Sequence, residues 1–298
     1  MAPNFWNGRT VAITGGSGSF GTAFTKFLLT QGVHAIRILS RGEKRQAEME
    51  QEIPDKRLRM ILCDVRDRDR LRRASDGCSI VIHAAALKRI ERSEYNAIEF
   101  LRTNTMGAVA VVEAALDAGV ERVAGLSTDK ASAPVTHYGV TKLAAERIFM
   151  SANRYGGDKT AFLCTRYGNV FGSSGSVIQL WQQQRDRGEP LTITDPACTR
   201  FWMTMADAVA VVDRAVQYGV PGTVLIPHLP SVRMLDVAEA IAPGHPHRFI
   251  GMRGIEKVHE SLISDDEAPN ASAITYPFED FVLGLPNPFG IQGRYGSE

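Results

Sequence analysis

No stretch of eighteen residues in this chain is apolar and uncharged throughout, so the sequence offers no membrane-spanning helix. An excess of one charge sign is equally missing: 34 Lys and Arg stand against 33 Asp and Glu, a formal net charge of +1. That balance leaves no electrostatic footprint for nucleic acid or an acidic membrane surface, so an anionic ligand must be held by local groups. Cysteine is scarce, and its four positions (Cys63, Cys78, Cys164 and Cys198) lie far apart with no CxxC pair. They read as buried, reduced thiols, with neither a disulfide framework nor a metal site. The start, Met1 to Arg9, is short and polar and leads straight into an apolar strand, with no signal-peptide pattern. A cytoplasmic protein is the expectation. Internal repeats and low-complexity tracts are also lacking.

What the chain does have is 298 residues, 44% of them hydrophobic, enough to bury a large α/β core with or without a smaller lobe. Apolar, β-branched runs at Thr10–Thr14, Ala35–Leu39, Arg59–Cys63, Ser79–His83, Arg122–Ser127 and Thr160–Thr165 alternate with helical stretches. Those stretches include Phe20–Thr30, Asp67–Ala74, Ala108–Ala118 and Tyr138–Asn153. Such alternation predicts an α/β fold, a doubly wound parallel sheet with helices on both faces. After Gly168 the rhythm loosens. A helix is expected over Val177–Arg187, short strands near Leu191–Thr194 and Phe201–Thr204, a helix over Met205–Tyr218, and a return to the sheet at Thr223–Ile226. Residues 1–171 and 194–226 are thus expected to form the nucleotide-binding domain, and 172–193 with 227–298 a smaller, sequence-interleaved lobe. The last dozen residues, rich in Gly and Pro, are expected to be poorly ordered.

The first strand runs into Thr14-Gly15-Gly16-Ser17-Gly18-Ser19-Phe20-Gly21. Gly15 suits a tight turn, Gly18 a close approach of backbone to a diphosphate, and Gly21 close helix–strand packing, with the helix N-terminus aimed at the anion. Glycine-rich turns have other uses, but this one follows a first strand and opens a helix, as dinucleotide binding requires. The second strand ends in Ser40-Arg41 where an NAD enzyme carries an acid for the ribose hydroxyls. Arg41, with Lys44 and Arg45 behind it, suits a 2′-phosphate and therefore NADP; a solvated basic helix start is the alternative. Asp64-Val65 is placed to flank an adenine, or Asp64 caps a helix.

Tyr138 and Lys142 stand one helical turn apart, after a strand that ends in Ser127-Thr128-Asp129-Lys130. A lysine beside a tyrosine favours phenolate. Phenolate can take an alcohol proton while hydride leaves the same carbon for a nicotinamide, with Thr128 holding the alcohol oxygen.

These segments, with His83-Ala84-Ala85-Ala86-Leu87-Lys88, Thr103-Asn104, Arg166-Tyr167-Gly168-Asn169-Val170 and Thr199-Arg200-Phe201, resemble the extended short-chain dehydrogenases/reductases. Within them, Ser127-Thr128-Asp129-Lys130 resembles the inverting UDP-N-acetylglucosamine 4,6-dehydratases of surface-polysaccharide and pseudaminic acid synthesis. The likeness runs from the first strand to about Glu260, with a weaker echo to about Val282. It implies a Rossmann-type sheet with NADP held by Gly15, Gly18, Ser19, Phe20, Gly21, Ser40, Arg41, Lys44, Asp64, Val65, Ala84, Ala85, Ala86, Lys88, Asn104, Tyr138, Lys142 and Tyr167. It implies catalysis by Thr128, Asp129 (acid), Lys130 (base), Tyr138 and Lys142. A UDP-sugar would meet Lys88, Asn169, Val177, Arg200, Arg253 and Glu256. The resemblance also implies a homo-oligomer, a dimer or dimer-based hexamer, paired through the Ala108–Ala118 and Tyr138–Met150 helices, which are rich in small and apolar residues.

Chemistry points the same way. A 4-epimerase needs the tyrosine and the cofactor, whereas a dehydratase must also remove a C5 proton and protonate the departing C6 hydroxyl. For Lys130 to act as a base it must be neutral, which burial or Lys142 would have to arrange. The alternative at Asp129-Lys130 is a surface ion pair, and Arg200 and Arg253 have the same bland reading. The chain departs from the family pattern at Ser173-Ser174-Gly175-Ser176 (usually Ser-Arg-Gly-Ser), at Arg253-Gly254-Ile255-Glu256-Lys257 (usually Arg-Pro-Gly-Glu-Lys) and at Arg89-Ile90-Glu91 (usually His-Val-Pro). These changes border the sugar pocket and leave the hexose and the C5 outcome open. The competing readings are a UDP-sugar 4-epimerase, a 5,6-dehydratase and a non-catalytic NADP-binding protein.

Overall fold

The computed structural model describes residues 4–252, 254, 256–267 and 294–295. At its centre is β1 (Thr10–Thr14), whose last four residues are buried, as a strand with parallel neighbours on both edges should be. On one side lie β2 (Ala35–Ser40) and β3 (Leu58–Leu62). On the other lie β4 (Ile80–His83), β5 (Arg122–Leu126), β6 (Ala161–Thr165) and β10 (Val224–Leu225). The seven strands run in the order β3-β2-β1-β4-β5-β6-β10, every pair parallel. Strand order reverses between β1 and β4, and the crevice above their carboxyl ends is where such a sheet takes its ligand.

The connections are α1 (Ser19–Thr30), α2 (Glu43–Glu52), α3 (Arg68–Ser75), the short turns α4 (Ile90–Ser93) and α5 (Ala97–Phe100), α6 (Gly107–Ala118) and α7 (His137–Tyr155). Between α5 and α6 the chain widens into a π-helical segment, Leu101–Met106. Helix α9 (Met205–Tyr218) starts with a capping box: Thr204 accepts from the Asp207 N–H, and the Asp207 carboxylate accepts from the Thr204 N–H at 2.9 Å. Among the described residues, no helix is long and apolar enough to cross a membrane. All four cysteines are buried as free thiols.

The smaller lobe has its own core. Ile178 and Trp181 of α8 (Val177–Asp186), Leu191 and Ile193 of β8 (Leu191–Ile193), and Val237 and Ala238 of α10 (Met234–Ile241) pack together. Strand β8 pairs with β12 (His247–Phe249). One expectation needs correction here. Residues 194–226 were assigned wholly to the nucleotide-binding domain, but β9 (Thr199–Met203) joins a separate four-stranded sheet with β7 (Asn169–Val170), β11 (Pro230–Arg233) and β13 (Arg294–Tyr295). The physical reason is that β9 is buried on both faces. Phe201 and Met203 enter the main core while Trp202, between them, enters the lobe core. An apolar run of this kind carries no sign of which sheet it joins. Helix α9 and β10 do return to the main sheet, β10 beside Cys164 and Thr165.

Candidate active site

A cleft of about 940 Å³ runs from the carboxyl ends of β1, β2 and β4 into the lobe. Its floor is the turn after β1. Gly15 has φ +67, and a Cβ there would come within 2.8 Å of the Ala85 backbone. Only glycine lets the turn lie against the loop after β4. Gly18, Ser19, Phe20 and Gly21 follow on the cleft wall and open α1. The carboxyl ends of β1 and β4 are tied by Thr14 Oγ1 and His83 Nδ1 at 2.8 Å. Burial, and then the charge of Lys142, push His83 down to about 3, so this imidazole is a neutral strut.

The nucleotide end of the cleft is lined by Ser40, Arg41, Arg45 and Val65. Ser17 donates to Ser40 Oγ at 2.8 Å, and Gln46 donates to the same oxygen at 3.0 Å. Lys44, expected at the cofactor, instead faces solvent, 3.8 Å from Glu48 one turn on, and Arg45 is the basic side chain on the cleft wall. The helical period explains the exchange, since adjacent positions on α2 point about a quarter-turn apart. Asp64 is not on the wall either: Arg66 binds its carboxylate at 2.7 Å, holding its pKa below the usual range, with Arg41 3.7 Å away. Across the cleft, Ser19 Oγ meets Ser174 Oγ at 2.8 Å and accepts from the Ser174 N–H at 3.2 Å. This contact joins the phosphate loop to the 172–176 loop. The Arg89 side chain lies over Gly175 of the same loop.

Ala84, Ala85, Ala86 and Lys88 continue the wall after β4. Asn104 stands behind them, fully buried, on the π-helical segment. Its amide accepts from the Leu87 N–H at 2.8 Å and donates to Leu87 O at 3.0 Å and to Thr141 Oγ1 at 3.1 Å. One side chain thus fixes the Lys88 loop relative to α7.

Helix α7 begins at Thr136, whose hydroxyl accepts from the Gly139 N–H at 3.0 Å. A side chain at Gly139 would collide with the Lys130 carbonyl, so glycine brings Tyr138 down onto the Thr128–Lys130 turn. The Asp129 N–H donates to Tyr167 O at 2.9 Å, docking that turn on the end of β6. Thr128, Lys130, Tyr138, Lys142, Tyr167 and Asn169 all line the cleft. Lys130 Nζ donates to Asp129 Oδ1 at 2.9 Å and to Asn169 Oδ1 at 3.4 Å, and Thr128 donates to the same Asp129 oxygen at 2.8 Å. Asp129 itself is fully buried behind the wall. Burial raises the pKa of Tyr138, against the hydrogen bond to Thr128, which lowers it. Lys142 Nζ donates to Leu126 O at 2.6 Å, and burial lowers its pKa. Enclosure of Tyr138 thus works against the phenolate expected from the sequence. Burial likewise raises Tyr167.

Arg166 is a structural residue. Fully buried, it binds Glu146 at 2.6 Å and Glu267 at 2.7 Å, tying β6, α7 and the segment at 267 together.

At the lobe end, Val177, Arg200 and Glu256 line the cleft, while Arg253 lies outside the described residues. Arg89 and Lys257, expected to border the sugar pocket, do line the cleft, and Glu260 joins them unforeseen. Glu260 sits 3.7 Å from Lys130, 3.9 Å from Lys257 and 4.0 Å from Arg200. A lone acid in an irregular segment gives no periodic signal; only its nearness to the Glu256-Lys257 pair pointed there. The cleft fits a nicotinamide dinucleotide by its own shape: a glycine turn a Cβ would fill, a helix N-terminus facing it, and basic side chains at the far end.

Comparison with known proteins agrees with this geometry. Residues 11–278 match a family model described as polysaccharide biosynthesis protein. An inverting UDP-N-acetylglucosamine 4,6-dehydratase of Campylobacter jejuni is 42% identical over 285 residues, covering 95% of this chain and 84% of the relative. A UDP-glucose 4-epimerase of Rickettsia bellii is 38% identical, over 88% of this chain and 80% of its own. Among solved structures, Pen from Bacillus thuringiensis superposes with a TM-score of 0.86 at 32% identity, over 89% of this chain and 85% of that one. A dTDP-glucose 4,6-dehydratase of Streptomyces venezuelae, solved with NAD, shares the fold with a TM-score of 0.78 at 23% identity, over 91% and 94% of the two chains.

Proposed function

The chain belongs to the polysaccharide biosynthesis protein family, among the nucleotide-sugar dehydratases of the extended short-chain dehydrogenase/reductase kind, and on that premise we propose that it is an NADP-dependent, cytoplasmic UDP-N-acetylglucosamine 4,6-dehydratase. The observation that carries this reading is Lys130, bonded to Asp129 and facing the same cleft as Thr128, Tyr138 and Lys142. A simple epimerase has no work for that pair.

A nicotinamide dinucleotide supplies a hydride acceptor for C4 and, later, a hydride donor for C6. Thr128 orients the C4 hydroxyl and Tyr138 takes its proton, with Lys142 as the nearby cation that favours the phenolate. Once C4 is a ketone, the C5 proton is acidified and Lys130 removes it. Asp129 is fully buried, so a proton from its carboxyl reaches the departing C6 hydroxyl through the Thr128 hydroxyl, which is bonded to its Oδ1. Water leaves, and proton return to C5 from Lys130 would complete the 4-keto-6-deoxy sugar. The face of reprotonation decides whether C5 inverts. NADP is favoured because β2 ends in Ser40 rather than an acid, with Arg41 and Arg45 on the wall beside it. The diphosphate of the sugar nucleotide falls to Arg200 and its neighbours.

Incubation with UDP-N-acetylglucosamine in deuterated water, followed by NMR, tests the reading. Deuterium at C5 of a 4-keto-6-deoxy product is expected. Unchanged substrate, or a C4 epimer alone, would refute it.

A further inference from the structure

The carboxylate of Glu260 is in an unusual position for a buried acid. Its side chain is only 7% exposed, and its Oε2 has no hydrogen bond among the described residues. Three cations surround it, Lys130 at 3.7 Å, Lys257 at 3.9 Å and Arg200 at 4.0 Å. Each is close enough for charge attraction and too far for a hydrogen bond. A buried carboxylate oxygen left without a hydrogen bond is costly and calls for an explanation, an ion or a catalytic role among them. The placement is fixed from both sides. Lys257 Nζ donates to Ser132 O at 2.7 Å, and Ser261 Oγ meets Ser132 Oγ at 2.9 Å, so the segment carrying Glu260 is fastened to the turn that carries Lys130.

We propose that Glu260 is a positioning residue that stands in for the substrate's diphosphate among these cations and, when the diphosphate arrives, is left to orient Lys130. The inference rests on the dehydratase reading for the identity of the anion. Arg200 and Lys257 are shared: Arg200 Nη1 donates to Thr199 O at 2.7 Å and Val258 O at 3.0 Å, and Lys257 Nζ to Ser132 O at 2.7 Å, so both stay anchored while their remaining N–H groups serve the phosphates. That leaves Glu260 to Lys130, whose neutral amine can donate an N–H to the carboxylate and keep its lone pair for the C5 proton. Binding of the nucleotide end is in this way coupled to the aim of the base. A diphosphate also competes with a resident negative charge, so the arrangement weakens binding while it aids the reaction, as a group acting beyond ground-state affinity should.

The test is Glu260→Gln in the cofactor-loaded protein, with UDP affinity measured by calorimetry and turnover of UDP-N-acetylglucosamine by NMR. Losing the negative charge should tighten UDP by about threefold to tenfold, because a like charge is removed from the anion's site. Turnover should fall by about tenfold or more, because Lys130 loses its orienting partner. Glu260→Asp keeps the charge and should return UDP affinity to the wild-type value. If Glu260 merely fastened its segment to the protein, UDP binding would weaken in Glu260→Gln and the melting temperature would drop. Weaker or unchanged UDP binding, or unchanged turnover, overturns the proposal. Should the wild-type protein bind UDP but not dehydrate the sugar, the dehydratase reading fails while the UDP comparison still decides the role of Glu260.

Discussion

Replacing Arg41 by alanine removes a cation from the wall beside the end of β2, and NADP affinity should fall while NAD affinity holds. A hydrogen bond to a charged partner contributes about 1.5–3 kcal/mol. Arg41 belongs at the low end of that range. It is 53% exposed, and Asp64 lies 3.7 Å away and competes for it, although Arg66 already occupies that carboxylate at 2.7 Å. About 1.5 kcal/mol is roughly a tenfold loss in Kd. Arg45 lines the same wall, so Arg45→Ala should cost a similar factor, and the double variant approaches about a hundredfold if the two act independently. Lys44→Ala is the internal control: 89% exposed and off the wall, it should change neither dinucleotide's affinity. The assay is calorimetric titration of cofactor-stripped protein with NADP and with NAD at physiological salt. Parallel losses for both dinucleotides in Arg41→Ala, or a loss in Lys44→Ala equal to that in Arg41→Ala, would refute the reasoning.

Tyr138→Phe deletes one hydroxyl and should slow oxidation at C4 by about a hundredfold to ten-thousandfold with the melting temperature preserved. Lys130→Ala should stop deuterium exchange at C5 while dinucleotide binding survives; near-wild-type dehydration would reduce the Asp129–Lys130 pair to a structural feature. Acid stability should follow Glu267. Burial alone would raise its pKa, but Arg166 and the Ser264 N–H hold it at about 2 against the ordinary 4.5. A depressed carboxyl stabilises the fold above about pH 4.5, and that stability is lost as pH falls through about 2. After allowance for solvent screening it is worth about 2 kcal/mol. Glu267→Gln should flatten that part of a pH series of urea melts, and an unchanged slope would count against the assignment. Self-association should use Ile98, Leu101, Met106 and Val140, large apolar side chains left exposed, rather than α6, whose small residues are already buried. Met106→Glu with Val140→Glu should yield a monomer by light scattering; a wild-type protein that is itself monomeric at micromolar concentration would remove the premise.

The main sheet was legible because its strands and helices alternate with strong periodicity. Thr10–Thr14 and Met205–Tyr218 fall at the expected bounds, and the other matched elements shift by a residue or two at fraying ends. The glycine turn and the Tyr138–Lys142 pair were legible for a similar reason: short-range spacing dictates their geometry. Residues whose position depends on distant chain segments were not. Lys44 and Arg45 are neighbours in sequence, and only the roll of α2 decides which one meets the cleft. The partners of β9 are set by two cores at once. Glu260 meets Lys130 across more than a hundred residues of chain, through a segment with no periodic pattern. The upward pull of burial on the Tyr138 pKa is likewise a property of enclosure, which residue spacing does not encode.

The hydrogen bonds between Ser19 and Ser174 have a kinetic meaning. They join the phosphate loop to the 172–176 loop, so, if the dinucleotide of the proposed reaction lies beneath them, its exit requires that loop to lift. The chemistry proposed returns the hydride within each cycle and never requires that exit. Sugar and dinucleotide thus move on two separate clocks, one set by turnover and one by loop opening. On the proposed chemistry, such a protein would draw once on the cell's nicotinamide pool and then run independently of whether that pool is oxidised or reduced.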